Sequence, residues 1–403
     1  LFVACAKEFS EITGEIGSSA RASRLRFVTD VQSTSTLRPR VVALGGGTGL
    51  PTVLRGLRES ASVSSRAGDI TAIVTVMDDG GSSGELRKTV GMLPPGDIRN
   101  CLSALSNDPT PLGEILHERV ATRASEIAHP VGNLMLAALS GIDGDFVSAI
   151  GTLGRLLGTT GRVLPATLDD VHLHATFSDG LEVEGETAIA RRRRRISRVR
   201  LTRTARPLPE AIEALIAADL VVVGPGSLYT SSIPPLLVDG MASLLAEISA
   251  TKVYVANLMT QPGETDGYTL ADHLRAMRDH TSRDLFDYAL VDRTPLSTAA
   301  LKRYEQEGSR PVVHDARQPW PFRTRIVNAS IASTRGWEIR HDPSALGYAL
   351  RALSGRAREG VSPGVFSGLA DDDVRAVCGF DEISLPAGRF PAGFESATLD
   401  FIE

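Results

Sequence analysis

From Arg40 onward the chain repeats one pattern: a short apolar run rich in β-branched residues, a polar break rich in glycine, then apolar residues at helical spacing. In the first instance RVVAL runs into GGGTG and then LPTVLRGLR, where Leu50, Val53, Leu54 and Leu57 stand at i, i+3, i+4 and i+7. That spacing predicts a helix with one buried face, and Pro51 fits because it falls in the first turn. ITAIVTVM, DLVVV and KVYVANLM are further strand candidates, each followed by its own polar turn: DDGGSSG, GPGSLYTSS and TQPGETDGY. Helices are expected over PPGDIRNCLSALS, where Ile98, Leu102 and Leu105 share a face, and over VGNLMLAAL, PEAIEALIAA, PPLLVDGMASLLAEI and LADHLRAMRDH. Strands alternating with helices predict an α/β fold built on a Rossmann-like, doubly wound, mostly parallel sheet.

One stretch breaks the rhythm. Within residues 161–205, VHLHATF alternates apolar and polar positions, turns at Ser178, Asp179 and Gly180, and returns as LEVEGE. This is the mark of an antiparallel hairpin, so 161–205 is expected as a β insertion. The chain thus divides into an N-terminal extension (1–38), one binding domain carrying the insertion (39–355) and a C-terminal extension of unassigned role (356–403).

Composition narrows the class. A length of 403 residues suits one large α/β domain or two modest ones, and a net charge of -5 argues against general attraction to nucleic acid or membrane. No apolar run approaches the roughly 20 residues that span a bilayer. Cys5, Cys101 and Cys378 lie far apart without metal-ligand spacing, so neither a disulfide framework nor a zinc site is expected, and a reducing, cytoplasmic setting is. LFVACA at the start is short, and Glu8, Glu11, Glu15 and Asp30 follow it, which argues against a leader. Arg191 to Arg195, with Arg198, Arg200, Arg203 and Arg206, form a basic run without interleaved aromatics, expected to face solvent or protein rather than nucleic acid.

Ligands of open α/β sheets bind beyond the carboxyl ends of the strands, so the four polar turns form the candidate site. Gly45, Gly46, Gly47 and Gly49, with Thr48, lack the third glycine of the dinucleotide fingerprint, because Leu50 stands there, and no Gly-Lys-Ser/Thr follows for a P-loop. What remains is backbone N–H groups that can approach an oxyanion beside a helix N-terminus. Gly224, Gly226 and Ser227 repeat that shape, which suggests a ligand with two phosphates, or with a phosphate and a sugar. Asp78 and Asp79, before Gly80, Gly81, Ser82 and Ser83, suit a ribose hydroxyl, or Mg²⁺ held by Asp78 or Asp79; the same carboxylates also suit plain turn formation. Asp97 sits near a helix start with Arg99 and Asn100 behind it. His129 and Asn133 precede the next helix, while Asn257 and Gln261, with Glu264, Asp266 and Tyr268, could read a base or sugar. No GxSxG elbow exists and Cys101 lies in a helical pattern, so no catalytic residue is assigned; any enzyme here works by positioning a phosphate group.

The blocks VVALGGGTGLPTVLRGL, ITAIVTVMDDGGSSGELR, LPPGDIRNCLSAL, ADLVVVGPGSLYTSSIPPLLV and VYVANLMTQPGETDGYTLADHL, in this order from about Arg40 to about Arg325, resemble the gluconeogenesis factor family (YvcK). That family lies within the superfamily of 2-phospho-L-lactate transferase (CofD). The resemblance implies a cytoplasmic regulator of cell shape and wall synthesis that binds nucleotide sugars such as UDP-N-acetylglucosamine. The implied cleft is formed by Gly46, Gly47, Thr48, Asp78, Asp79, Asn100, Asn133, Gly226, Ser227 and Asn257. CofD relatives are transferases that use Mg²⁺, but the Pro-Lys pair that follows their first loop is missing here. A non-catalytic binding protein is therefore expected, with a Mg²⁺-dependent phospho-group transferase as the alternative. The expected partners are a nucleotide sugar or other nucleotide diphosphate, a protein of wall synthesis and further copies of the chain.

Overall fold

Seven strands form one sheet in the order Arg325–Ala329, Tyr288–Asp292, Thr251–Val255, Leu220–Val223, Val41–Gly45, Ile70–Val74, Gly161–Pro165. Every neighbouring pair is parallel. The computed structural model describes residues 39–63, 69–106, 111–121, 127–315, 319–333 and 338–359; the 1–38 extension and nearly all of the 356–403 extension lie outside them. The central strands VVALG, ITAIV and LVVV are buried at every position. Parallel sheets carry helices on both faces, so their strands read as continuous apolar runs rather than alternating ones.

The chain enters the sheet in its middle. From Val41–Gly45 it passes outward through Ile70–Val74 to Gly161–Pro165, then returns to the other side of its first strand and builds outward again from Leu220–Val223. The direction of winding therefore reverses between Val41–Gly45 and Leu220–Val223, and a crevice opens beyond their carboxyl ends. The expected helix over LPTVLRGLR is Gly49–Val63, which buries Leu50, Val53, Leu54 and Leu57. LADHLRAMRDH is the helix Leu270–Thr281, opened by a reciprocal cap between Thr269 and Asp272.

Three local expectations are corrected. Gly161–Pro165 is the edge strand of the main sheet, paired with Ile70–Val74, so the antiparallel insertion is narrower than 161–205. A side chain at Gly161 would meet the Ile70 carbonyl at 2.6 Å, a contact only glycine avoids. The insertion is a separate three-stranded sheet with Leu173–Phe177 between Glu182–Glu184 and Ile196–Leu201, and the hairpin turns where the alternation placed it. PPLLVDGMASLLAEI is not one helix: a short turn at Pro234–Leu237 stops, Gly240 adopts a left-handed φ of 74°, and a helix restarts at Met241–Glu247. The paired prolines and the glycine break the backbone ladder there. Within GPGSLYTSS, Leu228–Ser232 form a wide helical turn rather than an open loop, closed by Ser232 N–H to Ser227 and Ile233 N–H to Leu228.

The helix Pro343–Glu359 packs against Gly49–Val63 through two glycines. A Cβ on Gly56 would lie 1.9 Å from the Pro343 carbonyl oxygen, and one on Gly347 would lie 2.0 Å from that of Gly56. Arg351 locks the pair by donating to Ser60 Oγ at 2.7 Å and to the Leu57 carbonyl at 2.8 Å. No helix among the described residues is long and apolar enough to cross a membrane. Replacing Gly56 with Val is expected to cost about 1–3 kcal/mol in urea unfolding, the usual range for overpacking. An unchanged unfolding midpoint would show that the helices do not meet at this glycine.

Candidate functional site

The two glycine loops at the crevice touch each other through their backbones. A Cβ on Gly49 would lie 1.9 Å from the Pro225 carbonyl oxygen, so only glycine lets the first helix begin against the second loop. Asn257, at the end of the Thr251–Val255 strand, clamps that loop from the other side. Its Oδ1 accepts from Gly226 N–H at 3.1 Å and its Nδ2 donates to the Gly226 carbonyl at 2.8 Å. Glu264 adds a third tie: its carboxylate accepts from Ser227 Oγ at 2.6 and 2.7 Å and from Tyr229 N–H at 2.8 Å. Burial pushes the Glu264 carboxyl above its ordinary range while those donors pull it back.

Between these loops and the C-terminal part of the domain lies a cleft of about 370 Å³. Of the residues expected from the sequence, Thr48, Gly49, Gly226, Ser227, Asn257 and Gln261 line it. Gln261 Oε1 is buried there without a hydrogen-bond partner among the described residues. Such an acceptor costs about 1–3 kcal/mol unless a ligand or water donates to it. The helix Gly49–Val63 starts at the cleft and turns the positive end of its dipole toward it.

The cleft also has a wall that sequence reasoning missed: Thr52, Met259, Tyr304, Glu307, Ser309, Arg340 and His341. Tyr304 comes from the helix Thr298–Gln306, which has no fully buried residue. It is fixed by its hydroxyl, which accepts from Ile339 N–H at 3.1 Å. His341 donates to the Ala256 carbonyl at 3.2 Å, and burial pushes its imidazole down to about 4, so it is neutral at physiological pH. Arg340 is exposed and paired with Glu338. These positions carry no glycine turn, and the one cue available was an aromatic and a basic residue in otherwise polar segments.

The remaining expected residues do not line this cleft: Gly224, on the second loop, lies where a Cβ would come 3.0 Å from the Val255 carbonyl oxygen, and the others belong to the first loop and the turns and helices that follow it. Asp97, on the first turn of the helix Gly96–Leu105, does not cap its own helix; its Oδ2 accepts from Gly47 N–H at 2.8 Å. Asp78 Oδ1 accepts from Gly80 N–H at 2.9 Å, closing its own turn. Asp79 holds the insertion: Oδ1 accepts from Thr187 N–H at 2.8 Å at the start of the helix Glu186–Arg191, and a Cβ on Gly185 would meet Oδ2 at 2.3 Å. Ser83 Oγ accepts from Gly96 N–H at 3.2 Å. A polar chain runs on from there. Arg99 donates to Asn133 Oδ1 at 2.7 Å and Asn100 Oδ1 at 2.8 Å, Asn133 donates to Ser82 Oγ at 3.0 Å, and Ser82 Oγ lies 2.8 Å from His129 Nδ1. Gly81, at φ 45°, opens the helix Gly81–Val90 on which Ser82 and Ser83 are carried.

Glu186, unanticipated from the sequence, completes an acidic group. Burial raises its carboxyl to about 8, helped by the charges of Asp78, Asp97 and Asp79, while a hydrogen bond with Thr230 opposes the shift. Asp97 is raised to about 6, chiefly by burial and then by Asp78, against the Gly47 hydrogen bond. Among the described residues, no three ligand-type side chains converge closely enough to hold a metal by themselves. Mg²⁺ needs only one or two carboxylates beside water and phosphate oxygens, and the crowded negative charge beside Gly47 suits such a cation. Asp78 Oδ2 accepts no hydrogen bond among the described residues, whereas both Asp79 oxygens face the insertion.

An all-parallel, doubly wound sheet with paired glycine loops at its winding reversal defines a Rossmann-like protein, a class whose ligands bind at the strands' carboxyl ends. The chain belongs to the family described as 2-phospho-L-lactate transferase CofD, whose family model matches residues 41–331. Two similar proteins carry the name gluconeogenesis factor. That of Bacillus subtilis is 43% identical over 307 residues, covering 76% of this chain and 95% of that protein. That of Halalkalibacterium halodurans is 41% identical over 322 residues, covering 80% and 98%. A crystal structure of a Bacillus halodurans protein is 40% identical and superposes with a TM-score of 0.73, covering 78% of this chain and 99% of its own. A second crystal structure of that same protein, described as a member of the UPF0052 family, is 41% identical with a TM-score of 0.71, covering 77% and 98%.

The raised carboxyls set a pH dependence. Between its ordinary value of 4.5 and about 8, Glu186 keeps its proton in the folded chain and has lost it in the unfolded one. Unfolding then releases a proton, so stability falls as pH rises through that window. Thermal unfolding at pH 5 and pH 8 should show this loss, and Glu186→Gln, neutral in both states, should lose less over the same interval. Equal slopes in the two proteins would place the Glu186 carboxylate in contact with solvent.

Proposed function

We propose that the protein is a nucleotide-sugar-binding regulator that takes a UDP-sugar such as UDP-N-acetylglucosamine and acts on cell shape and wall synthesis during gluconeogenic growth in the cytoplasm. The observation that carries this reading is the backbone contact of two glycine loops at the winding reversal, opening onto a cleft of about 370 Å³. Amide groups at Thr48, Gly49 and Ser227, all on the lining of the cleft, suit a diphosphate, which gains from the helix dipole without any fixed cation. Gln261, on the wall of the cleft, carries an amide that suits a ring N–H or sugar hydroxyl. Tyr304 and Arg340 offer an aromatic face and a positive charge on the opposite wall. The family relatives named gluconeogenesis factors support the regulatory role.

A second reading, a Mg²⁺-dependent phospho-group transferase, has its own observation in the group of Asp78, Asp97 and Glu186 beside Gly47. The two readings separate on one plate. A ligand at 100 times its dissociation constant stabilises by about 2.7 kcal/mol, so thermal-shift screening should show UDP-sugars raising the midpoint without Mg²⁺ and NAD leaving it unchanged. Asn257→Ala, which unties Gly226, should weaken UDP-sugar binding by at least about tenfold, or about 1.4 kcal/mol, while the chain stays folded. Turnover of a nucleotide-activated substrate with Mg²⁺, or stabilisation that requires Mg²⁺ and such a nucleotide, would replace the regulator with the enzyme.

A further inference from the structure

The function above leaves the basic run unused. Residues 191–206 carry nine arginines and no acidic residue, in a chain whose net charge is -5. The structure holds this run on fixed supports. A Cβ on Gly263 would lie 2.2 Å from Arg193 Cα, so the run's backbone rests against the Gln261–Gly267 turn at the cleft. Val199 N–H donates to His280 Nε2 at 2.9 Å, and the Arg195 guanidinium lies 5.7 Å from the centre of the Tyr268 ring.

Some of the charge is answered locally. Arg194 pairs with Asp179, Arg206 with Asp169 at 3.4 Å, and Arg203 donates to the Asp170 carbonyl at 2.9 Å. Arg191, Arg192, Arg193, Arg198 and Arg200 are exposed and have no carboxylate partner among the described residues. Arg198 and Arg200 stand two positions apart on the Ile196–Leu201 strand and so share one face of the small sheet. Arginines gathered in this way repel one another until a counter-charge arrives. A nucleic acid is poorly served, because the ring nearest the strip, Tyr268, is buried and lies under Arg195. A peptide adding to the strand edge at Val199 is blocked by His280.

The counter-charge is in the same chain. Residues 360–403 hold eight acidic residues against two arginines, and five of the eight are Asp371, Asp372, Asp373, Asp381 and Glu382. The last described residue is Glu359. From there to Asp371 an extended chain reaches about 40 Å, at ~3.3–3.6 Å per residue, and Glu382 lies farther along still. We propose that the acidic segment Asp371 to Glu382 docks on the arginine strip of its own chain and neutralises it. Docking there places the C-terminal extension beside the Gln261–Gly267 turn, and hence at the rim of the ligand cleft.

Heparin is the probe, used on the full chain. The wild-type protein should elute from a heparin column at low salt, because its strip is already covered. The variant D371N/D372N/D373N/D381N/E382Q should elute later, by on the order of 0.1 M salt, the range in which screening lengths fall to about 10 Å. Adding R191Q/R192Q/R198Q/R200Q to that variant should return elution to low salt. Circular dichroism melts of all three confirm that they are folded. Late elution of the wild type would show a strip open to any polyanion, and unchanged elution of the acid-neutralised variant would show that the segment does not cover it. A late elution that survives loss of the four arginines would place the heparin site elsewhere. Each of these three results overturns the proposal.

Discussion

The contact between Gly49 and the Pro225 carbonyl is the constraint from which the site follows. A methyl group at position 49 would overlap that oxygen at 1.9 Å, so the start of the first helix and the second glycine loop meet as bare backbone. Bare backbone is what an oxyanion needs, because N–H groups can approach it without side chains intervening. Asn257 and Glu264 then hold the second loop through Gly226, Ser227 and Tyr229. The side chains expected to read a ligand are therefore partly engaged in shaping the loop that does so.

On the other side of the first loop the same logic produces a different chemistry. Asp97 reaches across 50 positions of sequence to accept from Gly47, and Asp78, Asp79 and Glu186 crowd around it. Buried carboxyls at this density share protons or attract a cation, and burial is the larger cause of both raised values. The acidic group also ties the β insertion to the sheet through Asp79 and Thr187. The basic strip follows that short helix in the chain, so the insertion joins the acidic group to a basic surface.

Much of the fold was legible. Continuous apolar runs at 41, 70, 220 and 251, each with a polar turn behind it, gave parallel strands and the edge on which their turns collect. Gly161–Pro165 was misjudged because an edge strand with one exposed and one half-buried position reads like the hairpin that follows it. Of the six expected site residues that line the cleft, Thr48, Gly49, Gly226 and Ser227 were legible because glycine loops announce themselves by composition. Asp79 and Asp97 were placed in the right region, but their bonds to Thr187 and Gly47 depend on elements 108 and 50 residues away, beyond any local pattern. Tyr304 and His341 were invisible for a related reason: their bonds to Ile339 and to the Ala256 carbonyl span 35 and 85 residues, which no local motif encodes.

The account turns on whether the paired loops hold the phosphates. A crystal structure of the protein with UDP-N-acetylglucosamine tests this directly. The diphosphate is predicted to lie within hydrogen-bond distance, about 2.7–3.2 Å, of the backbone nitrogens of Thr48, Gly49 and Ser227. The base or sugar should then occupy the cleft between Gln261 and Tyr304. Phosphates bound elsewhere with those amides still facing solvent would contradict the account.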